Sequence, residues 1–239
     1  MGLFRDLGVA ASLAVSPGMV AAAEPVDFDL NVVIMTPKFQ GESGQKGADG
    51  RQRRDAAVRE RFQSHVERLN EEFRSEAGEP LVRFHLKAVT LWREIKDSPC
   101  EAVALARRSE NFAPALKACD DARVRRPRAV NVYVYSPWIS EEDKKITSHG
   151  RVGSFGPYTM IHWRNHHDFE TFWHEIGHAF GLPHVCSSPR PEGTHWNIMA
   201  TPDTCKTAKT ITHGFHFDEK QTAKVKEHIA RYQQMFTTQ

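Results

Sequence analysis

The chain has 239 residues, 26% of them charged and 40% hydrophobic, with a formal net charge of +2. That net charge is unremarkable and by itself points to no highly charged partner. The basic clusters lack the interleaved aromatic residues of a nucleic-acid interface, and no apolar run is long enough to insert stably in a membrane.

Residues 1–23 read as a cleaved signal peptide. Arg5 lies in a short n-region, Leu7 to Val15 are apolar, and Ala21-Ala22-Ala23 offers an A-x-A cleavage site before Glu24. Asp6 and the Ser16-Pro17-Gly18 break depart from the ideal pattern. No cysteine follows the apolar run, which argues against a lipid anchor. The expected location is therefore secreted or periplasmic, with one domain over 24–239.

Asp27 to Met35 (DFDLNVVIM) predicts a first strand. It begins almost at the cleavage site, leaving no room for a sizeable N-terminal pro-segment. A polar loop from Gly41 to Gly50 follows, then the basic cluster Arg51-Gln52-Arg53-Arg54, either solvated charge or a processing site. Val58, Phe62, Val66, Leu69 and Phe73 recur at helical spacing and predict a long amphipathic helix. Val82, Phe84, Leu86 and Ala88 alternate as a second strand, and Glu101 to Leu116 is helical with an interruption near Pro114. A second basic cluster, Arg123 to Arg128, reads as solvated. Val130 to Tyr135 (VNVYVY) predicts a central strand. Gly150 to Phe155 and Tyr158 to Trp163 flank a Gly156-Pro157 turn in an expected hairpin. Asp168 caps the next helix and Glu170 complements its dipole. A closing helix runs from about Asp218 to Gln234, burying Val225, Ile229 and Tyr232.

Residues 174–184 spell H-E-x-x-H-x-x-G-x-x-H. On a helix, His174 and His178 stand one turn apart on one face, so both reach a single metal. Gly181 lets the chain leave the helix, and His184 returns as a third ligand. Three neutral nitrogens leave a fourth position for water, the mark of a catalytic zinc site as opposed to a closed structural one. Glu175 lies close enough to hold that water without being a ligand. The competing reading, a histidine-rich helix without metal, leaves Gly181 and His184 unexplained.

Asn197-Ile198-Met199-Ala200 follows within twenty residues of His184. With the zinc motif, it makes the chain resemble the metzincin clan of zinc peptidases. The resemblance implies an α/β (α+β) catalytic domain of two lobes, about 24–180 and 181–239. It also implies a twisted, mostly parallel sheet with one antiparallel edge strand, a long zinc-binding helix, and a small irregular C-terminal lobe ending in a helix. Met199 would form a hydrophobic floor beneath the histidines. The edge strand near Arg151 to Ser154 would pair with an extended substrate, though an ordinary edge strand is the competing reading. The cysteines flanking Met199 and the small size look most like the pappalysin-type branch. Val185 and Thr201 stand where other branches carry an acidic or serine residue and a tyrosine ligand.

Cys100, Cys119, Cys186 and Cys205 all follow the signal peptide. Export and an even count favour two disulfides with three possible connectivities. Local pairing, Cys100 with Cys119 and Cys186 with Cys205, is the expectation. A cysteine-bearing zinc site is the other reading, but the histidines already complete a ligand set.

The expected activity is endopeptidase cleavage of protein or peptide substrates, with one Zn²⁺ on His174, His178 and His184 and Glu175 as general base. No other cofactor is expected. His162, His166, His167, His195, His213 and His216 are read as surface or supporting residues. Nothing in the sequence places Tyr158 at the site. Two other readings stand: a zinc- or peptide-binding module without turnover, and a zinc hydrolase acting on a non-peptide amide.

Overall fold

The structure, a computed structural model, describes residues 24–36, 48–98, 100–105, 109–135, 148–153, 156–184, 198–199 and 216–238. The apolar run near the start forms β1 (Val26–Ile34), and the helical stripe forms α1 (Ala48–Glu72). A two-residue strand, β2 (Arg74–Ser75), precedes β3 (Val82–Thr90). Three short helices follow: α2 (Trp92–Ile95), α3 (Glu101–Leu105) and α4 (Ser109–Ala118). The chain continues through β4 (Ala129–Tyr135), β5 (Ser148–Gly153), β6 (Gly156–His162) and α5 (Phe169–Ala179). It closes with β7 (His216–Phe217) and α6 (Glu219–Thr237).

The main sheet has the order β3-β1-β4-β6-β5. All its pairings are parallel except β5 with β6, which is antiparallel. This is the mixed, mostly parallel α/β sheet expected, with its antiparallel strand at an edge. Helices cover both faces. Val32, Ile34, Val132, Val134 and Ile161 point into one core, filled from α1, α5 and α6. The alternate residues Val33, Met35, Tyr133, Tyr135 and Met160 point into a second core with Phe112 and Leu116 of α4. An interior strand covered on both faces reads as an unbroken apolar run, which is why β4 is buried along its whole length.

A buried polar pair fixes the segment leading into β4. Asn31 and Asn131 face each other across β1 and β4, and the Asn31 amide donates to Asn131 Oδ1 at 3.0 Å. Asn131 also accepts from the Arg126 amide and donates to the Arg126 carbonyl, both at 3.0 Å. Each bond offsets the desolvation cost of two amides inside the sheet.

Several boundaries differ from expectation for physical reasons. Gly153 pairs with Gly156, so Gly156-Pro157 open β6 and do not form the hairpin turn. Gly156 has φ +121°, a conformation few other residues adopt, and proline is tolerated at a strand start. Pro114 lies inside α4 and does not interrupt it; residues 106–108 lie outside the described residues. Helix α2 and the small parallel β2–β7 sheet are too short for periodicity to show. Trp163 starts a 3-10 turn and is not the end of β6. Helix α6 extends to Thr237, capped by Asp218, which accepts from the Gln221 amide at 2.9 Å. Cys100 and Cys119 form a disulfide, as the local pairing expected. Cys186, Cys205, residues 1–23 and most of the segment between His184 and α6 lie outside the described residues.

Candidate metal centre

The site is built on α5. Asp168 caps it as expected, accepting from the Glu170 amide at 3.0 Å and from the Thr171 hydroxyl at 2.5 Å. Phe172, Trp173, Ile176 and Ala179 bury the helix in the first core, so its orientation is set by packing on the sheet. Its far end closes in a Schellman turn. The Leu182 amide donates to the Gly177 carbonyl at 3.1 Å and the Gly181 amide to the His178 carbonyl at 3.0 Å, with Gly181 at φ +80°. This is the turn that brings His184 back toward the helix.

The three imidazoles meet. His184 Nε2 lies 3.0 Å from His174 Nε2 and 2.9 Å from His178 Nε2. Their opposite nitrogens are committed elsewhere. His174 Nδ1 donates to the Ile198 carbonyl at 2.7 Å and His178 Nδ1 to the Leu182 carbonyl at 2.6 Å. A carbonyl only accepts, so both Nδ1 atoms carry the proton and both Nε2 atoms present lone pairs. A single N–H on His184 serves one of those lone pairs at a time. A cation among the three nitrogens satisfies all of them, and the donor set is therefore fit for a metal that favours imidazole. Burial holds the His174 imidazole below the usual histidine range. The Ile198 carbonyl opposes that shift and His184 adds to it, so the neutral, ligating form is favoured.

Among the described residues, these three form the one group of histidine, cysteine and carboxylate side chains whose ligand atoms lie within 4.8 Å of one another. Glu175 stands outside that group, next to His174 on α5 and 6% exposed. Met199 is fully buried against the helix. A Cβ placed on Gly177 would come within 2.6 Å of its sulfur, so the thioether packs on bare backbone between the two helical histidines. Sequence reasoning missed this role of Gly177, although a glycine inside a buried helix was itself a signal of close approach. The carbonyls of Leu182 and Ile198 had no sequence signal at all.

Of the other histidines, His162 and His166 are buried outside the cluster, His167 is exposed and His216 lies in β7. His195 and His213 lie outside the described residues. Tyr158 packs in the second core against Phe112, with ring centroids 6.0 Å apart, and serves the sheet's other face.

A helix that supplies two imidazoles and a carboxylate, with a third imidazole returned by its C-terminal turn, defines a metallopeptidase catalytic domain when set on a mostly parallel sheet. The sequence places it further: the chain belongs to metallo-peptidase family M12, whose Reprolysin_5 model matches residues 33–223. No curated relative matches the chain. Among solved structures, one described as "Structure of a chaperone-substrate complex" shares the fold, with TM-score 0.50 and 15% identity over 87% of this chain. This chain spans 34% of that one's length, and the likeness is one of fold alone.

Proposed function

We propose that this protein is an exported zinc endopeptidase whose single metal site is His174, His178 and His184. The observation that carries the reading is the convergence of three Nε2 atoms, with two of the opposite Nδ1 atoms tied to backbone carbonyls. When bound, zinc supplies Lewis acidity, acidifying water and polarising a carbonyl. Glu175 accepts a proton from the attacking water at its carboxylate and returns it to the departing amine nitrogen. Its burial in α5 limits its freedom, and buried Met199 supports the face that carries His174 and His178. No side-chain nucleophile is used.

Edge position favours β5 as the main-chain rail for an extended peptide, because among the described residues only β6 pairs with it. Export rests on the signal-like residues 1–23 and gains support from the Cys100–Cys119 disulfide, a bond that persists in oxidising compartments. Cys186 with Cys205 would brace the segment around Met199, and the pappalysin-like placement rests on the position of these cysteines either side of Met199 in the sequence. The lobe division near Gly181 belongs to the same reading.

The test is metal analysis of freshly purified protein, together with digestion of an unfolded protein with and without chelator. The reading expects one zinc per chain, internal cleavages, and loss of both in His178→Ala. Zinc without cleavage would make the protein a binding module, and an absence of transition metal would end the proposal.

A further inference from the structure

The Schellman turn leaves one carbonyl over. Backbone amides of Phe180, Gly181 and Leu182 take up the Ile176, Gly177 and His178 carbonyls. Those bonds do not reach the Ala179 carbonyl, the last in α5. It accepts instead from the Tyr232 hydroxyl at 2.5 Å, 53 residues later on α6. Tyr232 is fully buried, and its ring packs against Phe28 and Phe180 with centroids 6.4 and 5.8 Å away.

One turn earlier on α6, His228 packs against the same helix end. A Cβ on Gly181 would lie 2.1 Å from His228 Nε2, so that ring rests on the bare backbone of the turn. Two side chains of α6 thus hold the residues on either side of Phe180. The next residue, Leu182, supplies the carbonyl that fixes the His178 tautomer, and His184 follows two positions later.

We propose that Tyr232 is a positioning residue for the metal centre, tying the C-terminal end of α5 to α6 so that the Leu182 carbonyl and His184 stay in register with His178. The inference rests on the zinc-site reading above. Outer partners of metal ligands change metal affinity by about 10- to 100-fold, and Tyr232 acts one link further out, so about 3- to 10-fold is expected.

The experiment compares Tyr232→Phe with Tyr133→Phe in the full chain. Tyr133 is an equally buried tyrosine whose hydroxyl donates to the Val124 carbonyl at 3.0 Å in the second core, remote from α5 in the sequence and on the other face of the sheet. Zinc affinity is read by competition with a chromophoric chelator, and the Tm of each metal-free form is read in parallel. Titration at 10 °C keeps a weakened variant folded. Tyr232→Phe should lower affinity by about 3- to 10-fold, while Tyr133→Phe at a similar loss of Tm leaves it within about 1.5-fold. Equal effects from the two variants, or unchanged affinity in Tyr232→Phe, would overturn the positioning role while leaving the zinc site intact. Failure of the wild type to bind zinc, or unchanged affinity in His178→Ala, would instead overturn the site and the inference with it.

Discussion

Gly177 shows how much of the centre depends on one missing methyl group. An alanine there gains about 1 kcal/mol of helix propensity. Its Cβ would meet the buried Met199 sulfur at 2.6 Å, and overpacking of that kind costs about 1–3 kcal/mol. The clash wins, because Met199 is enclosed on the face it supports. Gly177→Ala is therefore expected to lower stability by about 1 kcal/mol net in urea unfolding, with weaker zinc binding. A more stable variant with unchanged metal affinity would show that Met199 is free to move. The sequence paired His174 with His178 because an i, i+4 spacing is a helical property, returned His184 through the Gly181 turn, and set Met199 beneath them only by the family resemblance. It was silent on the Leu182 and Ile198 carbonyls, since backbone atoms leave no residue-type signature.

At the scale of elements, the junction between α1 and the turn before α5 is built on histidine. His166 Nε2 accepts from Arg61 at 2.5 Å, its Nδ1 donates to the Trp163 carbonyl, and the His65 ring nitrogen donates to the His166 carbonyl at 3.1 Å. Burial pushes His166 down to about 4; the Trp163 carbonyl opposes this and Arg61 adds to it. Since the folded pKa lies below the unfolded one, this group's stabilisation is complete above about pH 6.5 and is lost as pH falls toward 4. Linkage sets an upper bound of about 3 kcal/mol on the loss across that window, and solvent screening brings the expected change in urea unfolding to about 2 kcal/mol, with a shallower fall in His166→Gln. Identical pH slopes in the two proteins would exclude His166 as the source.

The Cys100–Cys119 link acts on the other face of the sheet, across a separation of 19 residues. Replacing both with serine should cost about 3 kcal/mol by the chain-entropy argument. Zinc affinity, measured in the folded state, should stay within about 2-fold, because the link touches neither α5 nor its turn. Boundaries of these elements were harder to read than their existence. Short helix α2 and the β2–β7 pair carry too few residues for a period, and Gly153 pairing with Gly156 depends on a turn that spacing alone does not fix.

For the whole molecule, one long-range principle orders the parts: a central sheet buried on both faces orients α5, and α6 closes over its end. The strands and long helices were legible because burial forces apolar residues into a pattern: an unbroken run in β4, alternation at the start of β3 and a helical stripe along α1 from Val58 to Leu69. Contacts between distant segments were not legible. Tyr232 reads as one more buried residue of an amphipathic helix until α6 is seen against Ala179. The same holds for Asn31 and Asn131, which are 100 residues apart and join only when β1 and β4 pair in register.

In the proposed reaction, Glu175 moves the proton for a metal held by three histidines. The most direct measurement is cleavage of an unfolded protein by Glu175→Gln, with zinc content determined on the same sample. One zinc per chain with a rate about 10²- to 10⁴-fold below wild type is the predicted result. Full zinc content with wild-type cleavage would show that Glu175 does not carry the proton.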